Sequence, residues 1–293
     1  MQANDSESIR ARSEAVRRYF TKTPSPPAYG TAIALGGFAA LCTLPALAVI
    51  VMGIGKHEWN SCFSCVSVMS VLAAIGLIFP ALLSYKRGKA TYERNYYLAE
   101  PKPSDAEIDE WHRRDREFLK TYAMRKLDLS PEEIRRDNRS RPLVIVGPGP
   151  SAQVRLGADS VVRFSCHDVL IIYLTPYHLA AFRCVIDLHD GAIKTETTQE
   201  YHYENVVSVS TRQSHSPVTV YVEGQPREVI VNQHFALSVA SGEQISVATG
   251  FKESLALSGN TTFAETGAEE AIRSIRSRLR EKKGGAADTG SLQ

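Results

Sequence analysis

The chain has 293 residues, 43% of them hydrophobic and 23% charged, with a formal net charge of +2. That length carries one substantial domain plus further elements, and a charge so near balance excludes a dominant surface for nucleic acid or an acidic partner. The five cysteines, Cys42, Cys62, Cys65, Cys166 and Cys184, are odd in number and scattered, which excludes a disulfide-stapled scaffold.

In chain order, residues 1–8 are polar and read as disordered. Residues 9–20 predict a short helix with Ile9, Val16 and Phe20 on one side and arginines elsewhere, a pattern able to lie on an anionic bilayer. Prolines between Thr21 and Pro27 end this basic N-terminal segment, 1–27. Ala28 to Ile54 then carry no charge and span about 40 Å as a helix, against about 30 Å of hydrocarbon. Phe63 to Ser84 are also uncharged and span about 33 Å. The sequence therefore predicts a two-helix transmembrane hairpin over 28–84. A cleaved signal peptide fits badly, because a long polar stretch precedes the first run and a second run follows at once.

Lys and Arg placement sets the expected orientation. Arg10, Arg12, Arg17, Arg18 and Lys22 precede the hairpin, Lys86, Arg87, Lys89 and Arg94 follow it, and the connecting loop has Lys56 alone. This predicts an inner-membrane, multi-pass protein with both termini in the cytoplasm. Ala32, Gly36 and Ala40 form a small-residue stripe in the first run, and Ser64, Ser67, Ser70 and Ala74 a weakly polar face in the second. These faces either pack against each other in one chain or build an oligomeric bundle with a serine-lined path. No ionisable side chain lies within either run to support a proton relay. Pro45 and Pro80 are placed to kink the helices. Cys62 and Cys65 form a C-x-x-C without a second pair to complete a metal cage, and read as packing residues or an adventitious disulfide.

Residues 85–141 predict a helical linker. Lys86, Arg87 and Lys89 are expected to meet anionic lipid headgroups without specificity. Ser104 with Glu107 makes a capping-box start, and Ile108, Trp111, Phe118, Tyr122 and Leu127 recur at helical spacing, a stripe that needs the following domain or a second copy as partner. Ser130-Pro131-Glu132-Glu133 is a second helix start. From Pro142 the texture turns to short β-rich runs, near 142–146, 161–165, 168–175, 178–187, 193–203, 205–211, 218–222, 227–240 and 243–249, with turns at Asp190-Gly191, Glu223-Gly224 and Ser241-Gly242. Gly267 to Lys283 predict an amphipathic helix that presents Ala268, Ala271, Ile272, Ile275 and Leu279 on one face. Residues 284–293 read as a loose tail.

The runs Val169-Leu170-Ile171-Ile172-Tyr173-Leu174-Thr175 with His178-Leu179, and Tyr203-Glu204-Asn205-Val206-Val207-Ser208-Val209, resemble the bacterial pleckstrin-homology-like arrangement. The resemblance implies a mainly-β α+β domain over 142–283, an antiparallel barrel capped by its C-terminal helix. With Pro103-Ser104-Asp105-Ala106, Arg163-Phe164-Ser165 and Tyr201 through Thr211, most of the chain resembles uncharacterised two-span bacterial membrane proteins, which implies a membrane-tethered binding or assembly module and lends no catalytic residues. The hairpin that would grip an inositol phosphate lies near Ser165-Cys166-His167-Asp168 and has no Lys or Arg, so that specificity is not expected.

Nothing in the sequence calls for catalysis, a cofactor or a metal. Gly147-Pro148-Gly149-Pro150 lacks the Gly-Lys-Ser/Thr of a phosphate loop, no G-x-S-x-G occurs, and the eight histidines show no metal-ligand spacing. His202 reads as a rim or satisfied core residue, and Cys166 and Cys184 as small hydrophobes; a Cys–His pair with His167 or His178 is the enzymatic alternative. The expected function is a membrane-anchored, non-enzymatic cytosolic module that docks a protein partner or like subunits at the inner leaflet, with the lipid bilayer but no nucleic acid among its partners. The alternative is a ligand-gated oligomeric effector that perturbs the membrane.

Overall fold

A computed structural model describes residues 2–27, 29–30, 33–41, 44, 61–135, 141–213, 216–251, 262–263 and 266–284. The chain divides into two compact units, one of Met1–Lys22 with Lys102–Gln293 and the other of Thr23–Pro101.

In the second unit, α2 runs from Ser61 to Ala99 as one helix. Its uncharged part continues without a break into a stretch bearing Lys86, Arg87, Lys89, Glu93 and Arg94. Met69, Leu72, Ile75, Ile78, Phe79 and Leu82 are exposed along it. Most of the first expected span lies outside the described residues, and so do the side chains across much of the second, Cys62 and Cys65 among them. Among the described residues no helix is long and apolar enough to cross a membrane. This overturns the expected transmembrane hairpin, and with it the multi-pass inner-membrane placement and its cytoplasmic termini. The fold is one of mostly antiparallel sheets with helices.

The first unit begins with α1, Gln2–Phe20. It corrects two expectations: residues 2–8 are helical, and the buried side of the helix rests on protein. Val16, Tyr19 and Phe20 pack with Ile108 and Leu188, and Trp111 lies against them, while Ile9 is exposed. Arg12 pairs with Asp115 and donates from Nε to the Leu188 carbonyl at 2.9 Å. Tyr19 donates its hydroxyl to Asp105 at 2.6 Å beneath the Arg155 guanidinium, and burial pushes the phenol well up from its ordinary value.

Helix α3, Asp105–Lys126, opens with the capping box expected from Ser104 and Glu107. Replacing Ser104 by alanine removes the hydroxyl that accepts from the Glu107 amide at 3.2 Å, leaving that amide only the residue-104 carbonyl, and is expected to lower stability by about 1 kcal/mol; an unchanged urea midpoint would refute the cap's contribution. Ile108, Leu119 and Ala123 face inward, whereas Phe118 is exposed, so the buried stripe is rotated from the one read off the sequence. The short α4, Pro131–Arg135, starts with a second reciprocal pair between Ser130 and Glu133.

Eleven strands follow among the described residues. The first sheet orders β1 (Leu143–Pro148), β4 (Cys166–Leu174), β5 (His178–Asp187) and β6 (Ile193–His202), all antiparallel. The second runs β10 (Gln244–Phe251), β9 (Gln225–Val239), β8 (Ser216–Val222), β2 (Gln153–Leu156), β3 (Val161–Phe164) and β11 (Thr262–Phe263), with β7 (Val206–Arg212) paired to β9. The strands are thus split between two sheets instead of closing one barrel, and the β2–β8 and β3–β11 pairs are parallel. Gly191, Gly224 and Gly242 hold positive φ in the three expected turns.

Strand β4 alternates its side chains between two cores. Leu170 and Ile172 join Phe235, Leu237, Ile245 and Val247 of the second sheet and Ala271, Ile272 and Ile275 of α5, Ala268–Gly284. Val169, Ile171 and Tyr173 face α3 through Leu119, Ala123 and Leu127, with Phe182 at the centre. The first sheet is therefore covered by α3 on one side and by α5 and the second sheet on the other.

Candidate functional site

At the N-terminal end of β4 the α3-facing layer opens into a cavity of about 250 Å³. Helix α3 supplies Ile108, Asp109, His112 and Arg116 to its wall. The end of β1 supplies Val146, Gly147 and Pro148, β3 supplies Val161 to Phe164, and Asp159, His167, Leu188, Thr249 and Thr266 complete it. His167 lies one residue before Asp168 and two before Val169, so the pleat turns it to the side facing α3. The helical spacing of Ile108 and His112 puts them on one side of α3, and the two imidazoles stack with centroids 3.9 Å apart and planes 31° apart.

Gly147 makes this approach of strands possible. A Cβ there would come within 3.0 Å of the Ala248 carbonyl oxygen on β10. The glycines of the Gly147–Pro150 run therefore serve strand packing: Gly149 is closed in by Cys166 in the same way.

One edge of the cavity is a closed ionic cluster. Arg163 donates to Asp109 through Nε at 2.8 Å and Nη2 at 2.7 Å, and to Asp159 through Nη1 at 2.8 Å and Nη2 at 2.7 Å. Asp105 lies 3.9 Å from Nη1. The bond from Arg163 holds the Asp159 carboxyl well below its usual range, and the two aspartates hold Arg163 firmly protonated.

The opposite side is not closed. His112 Nε2 and Arg116 Nε are shut off from solvent, yet neither has a hydrogen-bond partner among the described residues. Burial, then the nearby Arg116 charge, pushes His112 down to about 4. Burial, His112 and Arg116 push His167 well below its ordinary value. Both rings are therefore neutral at physiological pH.

The thiols and histidines weighed for catalysis lie elsewhere. Burial pushes Cys166 up to about 11 and Cys184 up to about 12, which makes both poor nucleophiles. His178 sits at the β4–β5 turn, where Thr175 Oγ1 is 3.2 Å from its Nδ1, and His202 is exposed at the end of β6. Among the described residues no group of three or more His, Cys, Asp or Glu is arranged to hold a metal ion. Lys86, Arg87 and Lys89 are exposed on α2, with Lys89 3.8 Å from Glu93. Gly36 and Ala40 are exposed while neighbouring Ala39 is buried. Ala32 and the side chains of Ser67, Ser70 and Ala74 lie outside the described residues.

Sequence reasoning missed His112 and Arg116, which sit in the run His112-Arg113-Arg114-Asp115-Arg116 and read as solvated. The available signal was the four-residue spacing from Ile108 through His112 to Arg116. Comparison with protein-family models, with curated proteins and with solved structures gave no match.

Proposed function

We propose that the unit built from residues 1–22 and 102–293 is a non-enzymatic binding module that holds a small ligand between α3 and the sheets. The observation that carries this reading is the pair of buried polar atoms, His112 Nε2 and Arg116 Nε, left without partners among the described residues on the wall of a cavity lined by both apolar and polar side chains. A buried donor without an acceptor costs about 1–3 kcal/mol, and native folds rarely leave one without cause. A ligand supplying acceptors there removes that cost. The size supports the reading too, since an apolar cavity of about 150 Å³ is enough for a benzene ring.

Two features favour binding over turnover. A histidine pushed down to about 4 is a feeble base at neutral pH. The Thr249 hydroxyl on the wall donates to the Gln233 carbonyl at 3.3 Å and meets no activating base among the described residues.

The test uses the full chain with three single-ring probes, benzoate, benzamide and benzylamine. At least one is expected to raise the thermal midpoint in proportion to its concentration, as binding to the folded state requires, and to shift the imidazole resonances of His112 and His167. If none of the three changes either readout, the small-ligand reading is wrong.

A further inference from the structure

The charges around the cavity narrow the chemistry of its occupant. Four ionic side chains line it: Asp109, Asp159, Arg163 and Arg116. Asp109 and Asp159 are both spent on Arg163, which gives each of them two short hydrogen bonds. Arg116 makes no ion pair with any described residue, and its Nε is buried against the cavity. The two rings beside it are neutral, so they add donors without adding charge. Arg116 is thus the one of the four without an ion-pair partner among the described residues, its field reaching the exposed Glu117 carboxylate, and it stands next to walls formed by Ile108, Val146, Pro148, Val162 and Leu188.

We propose that the cavity takes a small monocarboxylate with an apolar body of about one ring, its carboxylate seated on Arg116 and His112. This rests on the small-ligand reading above. Arg116 Nε–H and the Nε2–H tautomer of His112 supply two donors, one of them charge-assisted, which suits the two oxygens of a carboxylate. A neutral ligand leaves the Arg116 charge unanswered. A cation is repelled by it. A phosphate dianion brings a second negative charge that no other unpaired cation among the described lining residues balances, with Asp109 and Asp159 at the rim to repel it.

The experiment is titration calorimetry of the full chain with benzoate, benzamide, benzylamine and inorganic phosphate, paired with histidine side-chain resonances to place the ligand. Benzoate is expected to bind at least about tenfold more tightly than the other three, the scale of one charge-assisted hydrogen bond, and to shift His112. Arg116→Gln is expected to lose at least about tenfold in benzoate affinity while keeping the unliganded thermal midpoint. Arg116→Lys, which keeps the charge, is expected to retain part of it. Should Arg116→Gln not fold, His112→Leu serves in its place, with a loss of at least about tenfold in benzoate affinity expected.

Each contrary outcome is distinguishable. If benzamide, benzylamine or phosphate matches benzoate, the carboxylate assignment fails while the ligand cavity stands. If benzoate binds Arg116→Gln as it binds the parent, or binds without moving His112, the seat is wrong. If no probe binds, this inference and the small-ligand reading fall together.

Discussion

Gly147→Ala is expected to lower the stability of the chain by about 3 kcal/mol, the upper part of the usual range for overpacking. The added methyl would come within 3.0 Å of the Ala248 carbonyl, with the Val247 side chain close behind. Neither neighbour yields easily. Ala248 is held in the β9–β10 ladder opposite His234, and Val247 is part of the core beneath α5. Gly147 is itself fixed opposite Asp168 in the β1–β4 ladder. Relief therefore requires β1 and β10 to move apart, and their contact is what closes the cavity beside His167. Urea unfolding of the parent and the variant measures the effect. A midpoint that does not move would show that β1 and β10 are not in firm contact there. The neighbouring Ala248→Gly removes the opposing methyl but not the carbonyl, so it is not expected to rescue Gly147→Ala.

Acid should destabilise the protein well above the range in which its carboxylates titrate. His112 is neutral in the folded chain and pushed down to about 4, against about 6.5 when unfolded. Because the folded value is depressed, the unfolded chain takes up the proton first as pH falls. The stability contributed by the neutral buried ring is complete above about pH 6.5, declines through the window down to about 4, and is constant below it. Each pH unit in that window is worth about 1.4 kcal/mol per proton, so His112 alone accounts for about 3 kcal/mol. His167 shifts in the same direction and adds to it.

The groups facing this pair explain why the fold does not relieve the penalty. Arg116 is positive and close, Arg163 is positive, and Asp109 is already engaged by Arg163. Asp159 is also lowered by Arg163, and its contribution is lost only as pH falls below about 4. The two effects therefore occupy separate windows. Urea unfolding at pH 7.5, 6, 5 and 4.5 should show a steady fall that His112→Leu substantially flattens. A parent chain equally stable at pH 7.5 and 4.5 would contradict the neutral, buried state of the pair.

Much of the β architecture could be read from local patterning because the signals were local. Asp190-Gly191, Glu223-Gly224 and Ser241-Gly242 favour positive φ and set three turns, and the strands on either side fall within a few residues of expectation. The C-terminal helix follows from the spacing of Ala268, Ala271, Ile272 and Ile275. Strand β2 gave no such signal: Gln153-Val154-Arg155-Leu156 is short and half polar, and it is held by β3 and β8. Its parallel partner β8 is remote in sequence, and no local rule pairs them.

The site itself was the least legible part. The sequence places a hairpin near Ser165-Cys166-His167-Asp168, whereas strands β1 and β5 flank His167 and His112 of α3 stacks on it. His112 was hidden among arginines, and only the rotation of α3 decides which of its charged-looking residues turn inward. The long uncharged runs misled in the other direction, since charge depletion alone suggested spans that no described helix provides. At the N-terminus Tyr19 was overlooked because an aromatic with a hydroxyl suits either a wet surface or a buried hydrogen bond, and Asp105, its acceptor, lies 86 residues away.

The division of the chain has a consequence for the order in which it can be assembled. Residues 23–101 form an excursion that leaves from the end of α1 and returns just ahead of α3. Its two ends are tied together by Lys102, which donates to the Thr21 carbonyl at 2.7 Å, and by Thr23, which donates to Glu100 at 2.7 Å. If that excursion were a flexible loop, docking α1 onto α3 would cost about 4 kcal/mol in closure entropy. The bonds that hold Thr21 beside Lys102 and Thr23 beside Glu100 meet that cost at the base of the excursion. With Thr21 held beside Lys102, α1 starts its docking onto Ile108 and Leu188 from a few residues away rather than from the far end of a long loop.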